Sequence, residues 1–467
     1  MATTTSHRLR SSSSHPGVYY ALLVTLAALP FVATRNLWGQ WFVTSALAVL
    51  LCVWLILRLR TAPVWPTVFR DYRWLLALLA MTWVYLLLKL VPLPGGVVAL
   101  LSPEAARVSG AAEQLVGATG WRSLSVDWGL GLRGFLQFSG YLALFLLVLV
   151  TVTDVRRARL MATVVAVVVG VHGLWGLFGH FVLSKGRGRT EGLFGDPNLF
   201  AVFIEIGLAV AVGLYLGVSR RGTHCGQWRT RLVHWIDVLM SSRGLVVALV
   251  LVLFTALFAS GSRGGAVAAV ASIGIATVIH QRREKAGKAL HVAVVLVMVA
   301  LASLVWFGGQ VVLERLEVTD LGSSARPSIW RSAMAMVGDY SATGIGAGAW
   351  RFAYPGYREP ELGGYWLPTG AHNAYLQVLV EHGIVGFLLL GSAVLLAVVR
   401  LTTALRERHD SFIRGVLFGS LTAVFSLLLH SLFEGAFQTF TSTAYFYAVL
   451  ALGLATVRLP REGSSRR

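Results

Sequence analysis

Long apolar stretches, separated by short polar or basic ones, dominate the pattern of this chain. A bilayer core about 30 Å thick needs about 20 apolar residues per helix, and twelve stretches reach or approach that length. They run approximately over residues 18–34, 40–57, 73–91, 133–152, 160–181, 198–217, 244–260, 264–280, 290–309, 382–399, 414–433 and 442–457. The pattern therefore predicts an all-α polytopic membrane protein with about twelve transmembrane helices.

Composition supports the same class of protein. Hydrophobic residues make up 56% of the chain and charged residues 13%, with a mean hydropathy of +0.70, whereas soluble domains carry about 25% charged residues. The formal net charge of +19 would favour nucleic-acid binding in a soluble chain. In a membrane protein it marks cytoplasmic segments instead, so we predict no nucleic-acid partner. The two cysteines, Cys52 and Cys225, provide neither a disulfide framework nor a metal cluster.

Basic residues also predict the orientation. Lys and Arg concentrate in RLRTAPVWPTVFRDYR, DVRRARL, HQRREKAGK and RLTTALRERHDSFIR, which the positive-inside rule assigns to the cytoplasm. The first apolar stretch lacks a small-x-small cleavage site, so we expect a retained helix. The predicted organisation is a disordered cytoplasmic tail at 1–17, helices one to nine within 18–309, helices ten to twelve within 373–457, and a cytoplasmic tail at 458–467.

Two predicted external loops are long enough to fold, at about 92–132 and 310–372. In the second, ARPSIWRSAMAMVGDY has apolar residues at helical spacing, which predicts a short amphipathic helix near the membrane surface. The following GIGAGAWRFAYPGYREPELGGYWLP predicts an irregular loop over the external face. Its first residues superficially resemble a phosphate-binding glycine loop, but no strand precedes them, so we predict a flexible loop tip.

His372 stands out among the twelve histidines because it lies on the external side, where PTGAHNAYLQVLVEHG starts the tenth helix. Asn373 and Tyr375 follow it. One ring nitrogen could be oriented by a neighbour while the other accepts a proton near neutral pH. The structural alternative is a histidine at a helix start, beside an Asn cap.

Three arginines are candidate phosphate ligands on the same side. Arg263 lies among glycines in SGSRGG, where a guanidinium fork matches phosphate oxygens; the alternative is a cation at the end of the preceding helix. Arg326 and Arg331 are five residues apart and diverge around a helix. We expect one of these two to point inward.

Several ionisable residues lie within or beside the apolar segments. Asn198 belongs to a helix-start signal, DPN, and Glu205 is seven residues further on the same face, where an unpaired carboxylate in a membrane is costly. These groups could form a proton relay in a transporter or internal ion pairs. No external acidic cluster has metal-binding spacing, so we predict neither metal nor cofactor. The remaining members of this set are His172, His180, His430 and Glu434, the last two at i, i+4 spacing.

The motifs together resemble those of the bacterial O-antigen ligase and O-antigen polymerase superfamily. They are EGLFGDPNLFAVFIE at 191–205, SRGG at 262–265, RPSIWRSAM followed by TGIGAGAWRF, and AHNAYLQVLVEHGIVG at 371–386. With the twelve predicted helices and the large external loop, the resemblance spans roughly residues 180–400.

The resemblance implies glycan transfer from an undecaprenyl diphosphate carrier to a hydroxyl acceptor, at the periplasmic side of the bacterial inner membrane, without nucleotide sugars or metal. It implies that Arg263 and Arg326 grip the diphosphate, and that His372 is the base toward the acceptor, giving inversion. An apolar groove would hold the polyprenyl tail. Supporting residues would be Arg331, Asn198, Asn373, Tyr375 and Glu205.

The acceptor is open between several members of this superfamily. We expect a polymerase of an O-antigen or exopolysaccharide, because the loop is rich in aromatic residues and NAYLQ looks like polymerase-type members. The alternatives are a ligase that uses a lipid A core sugar and a protein O-glycosylating ligase. Expected partners are the carrier-linked donor, the glycan acceptor, membrane lipids and a chain-length regulator. A different class, a polysaccharide or ion-coupled transporter, would use Glu205, His172 and His430 for coupling.

Overall fold

The computed structural model describes residues 15–61, 66–117, 120–183, 188–218, 241–281, 325–360 and 367–460. Within these ranges nearly every regular element is a helix, and the single sheet has two short antiparallel strands. The prediction of an all-α polytopic membrane protein is therefore confirmed.

The described elements follow one another in this order. The first group is α1 (Pro16–Val32), α2 (Leu37–Thr61), α3 (Val68–Asp71), α4 (Arg73–Leu88), β1 (Leu93–Pro94), α5 (Gly95–Leu101), α6 (Pro103–Val116), β2 (Trp121–Arg122), α7 (Trp128–Thr151) and α8 (Val155–Phe178), which continues as a π-helical turn (Gly179–Leu183). The second group is α9 (Pro197–Gly217), α10 (Ser242–Ala259), α11 (Arg263–Gln281), α12 (Ala325–Asp339), α13 (Trp350–Ala353), a 3-10 turn (Tyr354–Tyr357), α14 (Ala374–Glu407), α15 (Ser411–His430) and α16 (Phe440–Val457).

Nine of the described helices are long and apolar enough to cross a membrane, namely α2, α7, α8, α9, α10, α11, α14, α15 and α16. The apolar helices α1 and α4 are shorter. Each of these eleven helices overlaps a predicted span, but several ends differ: α14 begins at Ala374, eight residues before its predicted start, and ends at Glu407, eight residues after its predicted end. The twelfth predicted span, at 290–309, lies outside the described residues.

Helices α9, α15 and α16 form the centre of the bundle, because most of each helix is buried by its neighbours. The backbones of α9 and α15 approach most closely at small residues. A Cβ on Gly419 would lie 2.8 Å from the Ala209 carbonyl oxygen. In a membrane, small residues allow such close packing, which supplies the van der Waals contact that holds the helices together. By contrast, α2 and α14 are largely uncovered, as expected of helices that face lipid.

Helix α14 is broken at Gly383, whose φ of +62° and ψ of −172° are not helical. The break exposes main-chain groups of α14, and residues 341–346 supply their partners. The amide of Ile345 donates to the Val380 carbonyl oxygen at 2.9 Å, and the amide of Gly346 donates to that of Glu381 at 3.0 Å. The predicted flexible loop tip is therefore wrong: the glycines permit close approach to a broken helix.

The end of α4 locks this junction from the other side. The buried Lys89 ammonium donates to the carbonyl oxygens of Thr343 at 2.5 Å and Glu381 at 2.8 Å. The Tyr85 hydroxyl donates to the carbonyl oxygens of Thr343 at 2.9 Å and His382 at 2.6 Å. Each side chain thus bridges the loop and the broken helix, which fixes one to the other.

The described parts of the two predicted external loops pack against each other as one small unit, here called the loop unit, formed by residues 93–117, 120–126 and 325–357. Its apolar core is distinct from that of the bundle. Helix α12 occurs where an amphipathic helix was predicted. The stretch after it is more regular than predicted, since it contains two short helical turns. Within them the rings of Trp350 and Tyr354 stack, with their centroids 5.1 Å apart. The residues that form the core include Val98, Leu124, Ile329, Ala333, Met336, Trp350 and Tyr354.

Candidate active site

Polar side chains from four segments meet where the loop unit joins the bundle. Asn198 comes from the first turn of α9, Arg326 from the first turn of α12, and His372 from the residues just before α14. The segment between α15 and α16 contributes Glu434. Arg263, the first residue of α11, lies beside them, directly after the turn that follows α10. All of these segments are predicted to face the periplasm.

His372 is held by a buried carboxylate. Its Nδ1 lies 2.7 Å from Glu434 Oε1, and Glu434 is only 4% exposed. Because a carboxylate accepts hydrogen bonds, this contact places the proton of a neutral ring on Nδ1. The other nitrogen, Nε2, then carries a lone pair and has no partner among the described residues. This is the tautomer that a general base requires.

The backbone at His372 is strained, since its φ of +47° is positive and a side chain with a Cβ rarely adopts that conformation. Hydrogen bonds on both sides maintain it. The indole of Trp330 donates to the Ala371 carbonyl oxygen at 2.9 Å, and the Ala371 amide donates to Gln377 Oε1 at 2.7 Å. On the other side the Ala374 amide donates to the Ser431 carbonyl oxygen at 2.9 Å. The main chain on both sides of His372 is thus held by α12, by α14 and by the segment that follows α15.

Glu434 accepts from four groups. Besides His372, the Asn198 side-chain amide donates to Oε2 at 2.9 Å, the Gly435 amide donates to Oε1 at 3.1 Å, and an Arg326 nitrogen lies 3.4 Å from Oε2. Burial alone would raise the pKa of this carboxyl, but its hydrogen bond with His372 and the other donors outweigh burial and lower the pKa. Glu434 is therefore ionised at neutral pH.

A chain of hydrogen bonds connects Glu434 to the turn before α11. The carbonyl oxygen of the Asn198 side chain accepts from an Arg189 nitrogen at 2.6 Å, and Arg189 Nε donates to the Ser260 carbonyl oxygen at 2.7 Å. Asn198 thus presents its amide to Glu434 and its oxygen to Arg189, which fixes its orientation. The Asp196 carboxylate caps α9 beside it by accepting from the backbone amide of Asn198 at 2.7 Å, as the DPN motif predicts.

The two arginines of α12 differ in their surroundings. Arg326 lies beside Glu434 with its side chain 40% exposed. Arg331 instead pairs with Glu359 at 3.2 Å and with the Ser328 hydroxyl at 3.1 Å. Of the two, Arg326 contacts Glu434, the carboxylate that also holds His372. The structure does not bring Arg331 into the His372 cluster.

Arg263 is the first residue of α11 and is exposed. The next turn lies directly on a second buried pair, formed by Glu205 of α9 and His430 of α15. His430 Nδ1 is 2.7 Å from Glu205 Oε1. A Cβ on Gly265 would lie 2.7 Å from the same oxygen, so only glycine lets the start of α11 approach this pair. Arg263 is thereby placed next to this buried pair.

Asn373 and Tyr375, expected as supporting residues, attach the start of α14. The Asn373 side chain accepts from the amides of Tyr375 at 3.0 Å and Leu376 at 3.1 Å and donates to the Leu432 carbonyl oxygen at 3.2 Å. The Tyr375 hydroxyl donates to the Leu428 carbonyl oxygen at 2.8 Å. Both therefore position His372 against the segment that carries Glu434.

Sequence reasoning noted Glu434 but did not assign it to the site. The i, i+4 spacing suggested a pair with His430, yet each residue has a different partner: His430 contacts Glu205, and Glu434 contacts His372. A buried carboxylate at a helix end was the available signal. His172 does not join either pair within the described residues, since its ring packs on Phe31 and Phe203.

Among the described residues, no group of three or more His, Cys, Asp or Glu could hold a metal ion. The expectation that no metal or cofactor takes part stays a prediction.

Residues 248–391 match the family model described as O-antigen ligase. The match runs from α10 into α14 and contains Arg263, Arg326 and His372, so it supports the resemblance to the O-antigen ligase and polymerase superfamily. Glu434 and Asn198 lie outside the matched segment. No curated protein matches the chain. The family match and the nine apolar helices together support a membrane-embedded glycan transferase.

Proposed function

We propose that this chain transfers a glycan from an undecaprenyl diphosphate carrier to a hydroxyl acceptor at the periplasmic face of the bacterial inner membrane. His372 is the general base, and Arg263 and Arg326 bind the diphosphate. No metal takes part. The observation that carries the proposal is the His372–Glu434 pair at 2.7 Å, with an arginine on the same carboxylate and an Nε2 that has no partner among the described residues.

The reaction follows from these positions. The acceptor oxygen attacks the anomeric carbon from the side opposite the diphosphate, a new C–O bond forms, and the bond from carbon to phosphate oxygen breaks. His372 Nε2 takes the acceptor proton, and the Glu434 carboxylate stabilises the resulting imidazolium. The arginines offset the charge that develops on the leaving diphosphate. A single displacement of this kind inverts the anomeric configuration.

We propose a polymerase as the particular activity, in which the acceptor is another carrier-linked glycan. The exposed aromatic residues of the loop unit, Trp121 and Phe352, support recognition of a sugar chain. An O-antigen ligase that uses a lipid A core sugar is the second candidate, favoured by the description of the matching family model. The two activities use the same donor chemistry and differ in acceptor.

The test is glycan transfer by the purified protein from a carrier-linked donor, with chelator present. Wild type should form product, whereas His372→Ala and Arg263→Ala should lose it by at least about a hundredfold. Matched controls are His409→Ala and Arg406→Ala, both exposed at the opposite end of the bundle. Growth of glycan on the carrier indicates a polymerase, and transfer to a lipid A core indicates a ligase. Full activity in both site variants would refute the proposal.

A further inference from the structure

A third member joins the buried pair beneath Arg263. The Ser262 hydroxyl oxygen lies 3.4 Å from His430 Nε2, on the opposite side of the ring from Glu205. Ser262, His430 and Glu205 are 5%, 1% and 1% exposed. They form a line that starts at Glu205 in the membrane interior, passes through His430 and ends at Ser262, the residue immediately before Arg263. The mechanism proposed above uses none of the three.

The charge state of this line follows from its contacts. Glu205 accepts from His430 Nδ1 at 2.7 Å and from the Ser426 hydroxyl at 2.5 Å, one on each oxygen. An unpaired carboxylate in a membrane interior costs several kcal/mol, and His430 is the only basic side chain in contact with it among the described residues. A pair without net charge is therefore favoured, in which one hydrogen lies between Glu205 Oε1 and His430 Nδ1 and the other is on His430 Nε2.

The Ser262 oxygen then accepts twice. It accepts from His430 Nε2, and it caps α11 by accepting from the Gly265 amide at 3.3 Å. A serine oxygen has two lone pairs and one hydrogen, so the hydrogen remains to be donated. The described residues offer it no acceptor. A buried donor without an acceptor is costly, which favours a ligand atom in that position.

We propose that Ser262 donates its hydroxyl hydrogen to a phosphate oxygen of the polyprenyl diphosphate, and that the His430–Glu205 pair positions it to do so. The proposal rests on the proposed function, because it adds a residue to the same diphosphate site. Two further observations favour a phosphate here. Arg263 follows Ser262 directly, and the amides at the start of α11 carry partial positive charge.

The test is binding to the protein in lipid nanodiscs, comparing undecaprenyl diphosphate with uncharged undecaprenol. Ser262→Ala should weaken diphosphate binding about tenfold to a hundredfold, the loss expected for a hydrogen bond to a charged group, and leave undecaprenol binding unchanged. Ser262→Thr keeps the donor and the cap and should bind within about threefold of wild type. Ser272→Ala is the matched control, since that buried hydroxyl donates to the Ala269 carbonyl oxygen of its own helix at 2.9 Å.

Each outcome has one meaning. If Arg263→Ala weakens diphosphate binding but Ser262→Ala does not, this inference is wrong and the proposed function stands. An equal loss for both lipids, with a lower unfolding temperature, shows that Ser262 only caps α11 and also overturns it. A Thr variant as weak as the Ala variant does the same. If wild type itself does not prefer diphosphate over undecaprenol, the proposed function fails.

Discussion

Replacing Glu434 with Gln gives the sharpest test of the catalytic arrangement. The substitution keeps the shape of the side chain but replaces one carboxylate oxygen by an NH2 group. Oε1 faces the donor on His372 and Oε2 faces the donor on Asn198. The new side chain has one oxygen, which can accept from His372 or from Asn198 but not from both. The other of these two donors then faces the new NH2 group, which is itself a donor.

Neither orientation of the new amide relieves the conflict. If its nitrogen faces His372, the ring proton moves to Nε2, the nitrogen that has to take the acceptor proton. If it faces Asn198, that side chain must turn over and put its own nitrogen against Arg189, which now donates to Asn198 Oδ1 at 2.6 Å. A buried donor left unsatisfied costs about 1–3 kcal/mol. We expect Glu434→Gln to lower kcat by about 10²–10⁴, the range for general base catalysis.

The assay is steady-state transfer with saturating acceptor, together with direct binding of undecaprenyl diphosphate. Donor affinity should stay within about fivefold of wild type, because both arginines remain, so the loss appears in kcat. The matched control is Glu359→Gln, at the exposed pair with Arg331, where such pairs contribute about 1 kcal/mol or less. A Glu434→Gln enzyme with wild-type kcat would refute the role of the pair.

Glu434 also predicts a dependence of stability on pH. Its pKa is lowered in the folded protein from the ordinary value of 4.5, so the carboxylate stabilises the fold above that pH, and this contribution is lost as pH falls through the lowered pKa. Wild type should therefore lose unfolding temperature on acidification below about pH 4.5 more steeply than Glu434→Gln. Parallel curves for the two proteins would contradict the contact described here.

Three further predictions concern the elements around the site. Arg326→Gln should lower transfer by at least about a hundredfold, whereas Arg331→Gln should change it less than about threefold, measured in the same assay. Gly383→Ala should lower the free energy of unfolding by more than about 2 kcal/mol, because an alanine is strained at positive φ and its Cβ would overlap residues 342–343. The control is Gly391→Ala, on the same helix but with open space around the position. It should leave the free energy of unfolding unchanged or raise it by up to about 1 kcal/mol. Lys89→Met should lower the free energy of unfolding by about 2 kcal/mol or more and increase proteolysis at residues 341–360.

These three predictions can each fail clearly. Equal effects of the two arginine variants would remove the distinction between the inward and outward positions on α12. A harmless alanine at Gly383 would mean that α14 can run unbroken. Unchanged proteolysis in Lys89→Met would mean that this side chain does not hold the loop to α14.

The sequence predicted the helices well because a bilayer imposes one dominant requirement, an apolar segment of sufficient length. Its pattern also located α12 and the polar start of α14. Partners were harder to predict. Glu434 lies 62 residues from His372, and spacing along one helix says nothing about which neighbouring element a side chain meets. The i, i+4 relation of His430 and Glu434 is local, whereas packing against α9 and the start of α14 decided their partners.

The junction at Gly383 was hidden for a related reason. A glycine within EHGIVG is tolerated in many transmembrane helices, so nothing local indicated a break. The break becomes favourable only because residues 341–346 supply main-chain partners that are distant in sequence. The same pairing explains why GIGAG is rich in glycine, which was interpreted as a sign of flexibility.

This junction separates what is fixed in the protein from what can vary. The pairing of residues 341–346 with α14 is made by main-chain atoms, so substitutions elsewhere in the loop unit do not alter it. The positions of Arg326 and His372 are thereby insulated from changes in the surface that is proposed to meet the sugar chain. Substitutions on that surface can therefore change which glycan is accepted, while the relative positions of Arg326 and His372 stay the same.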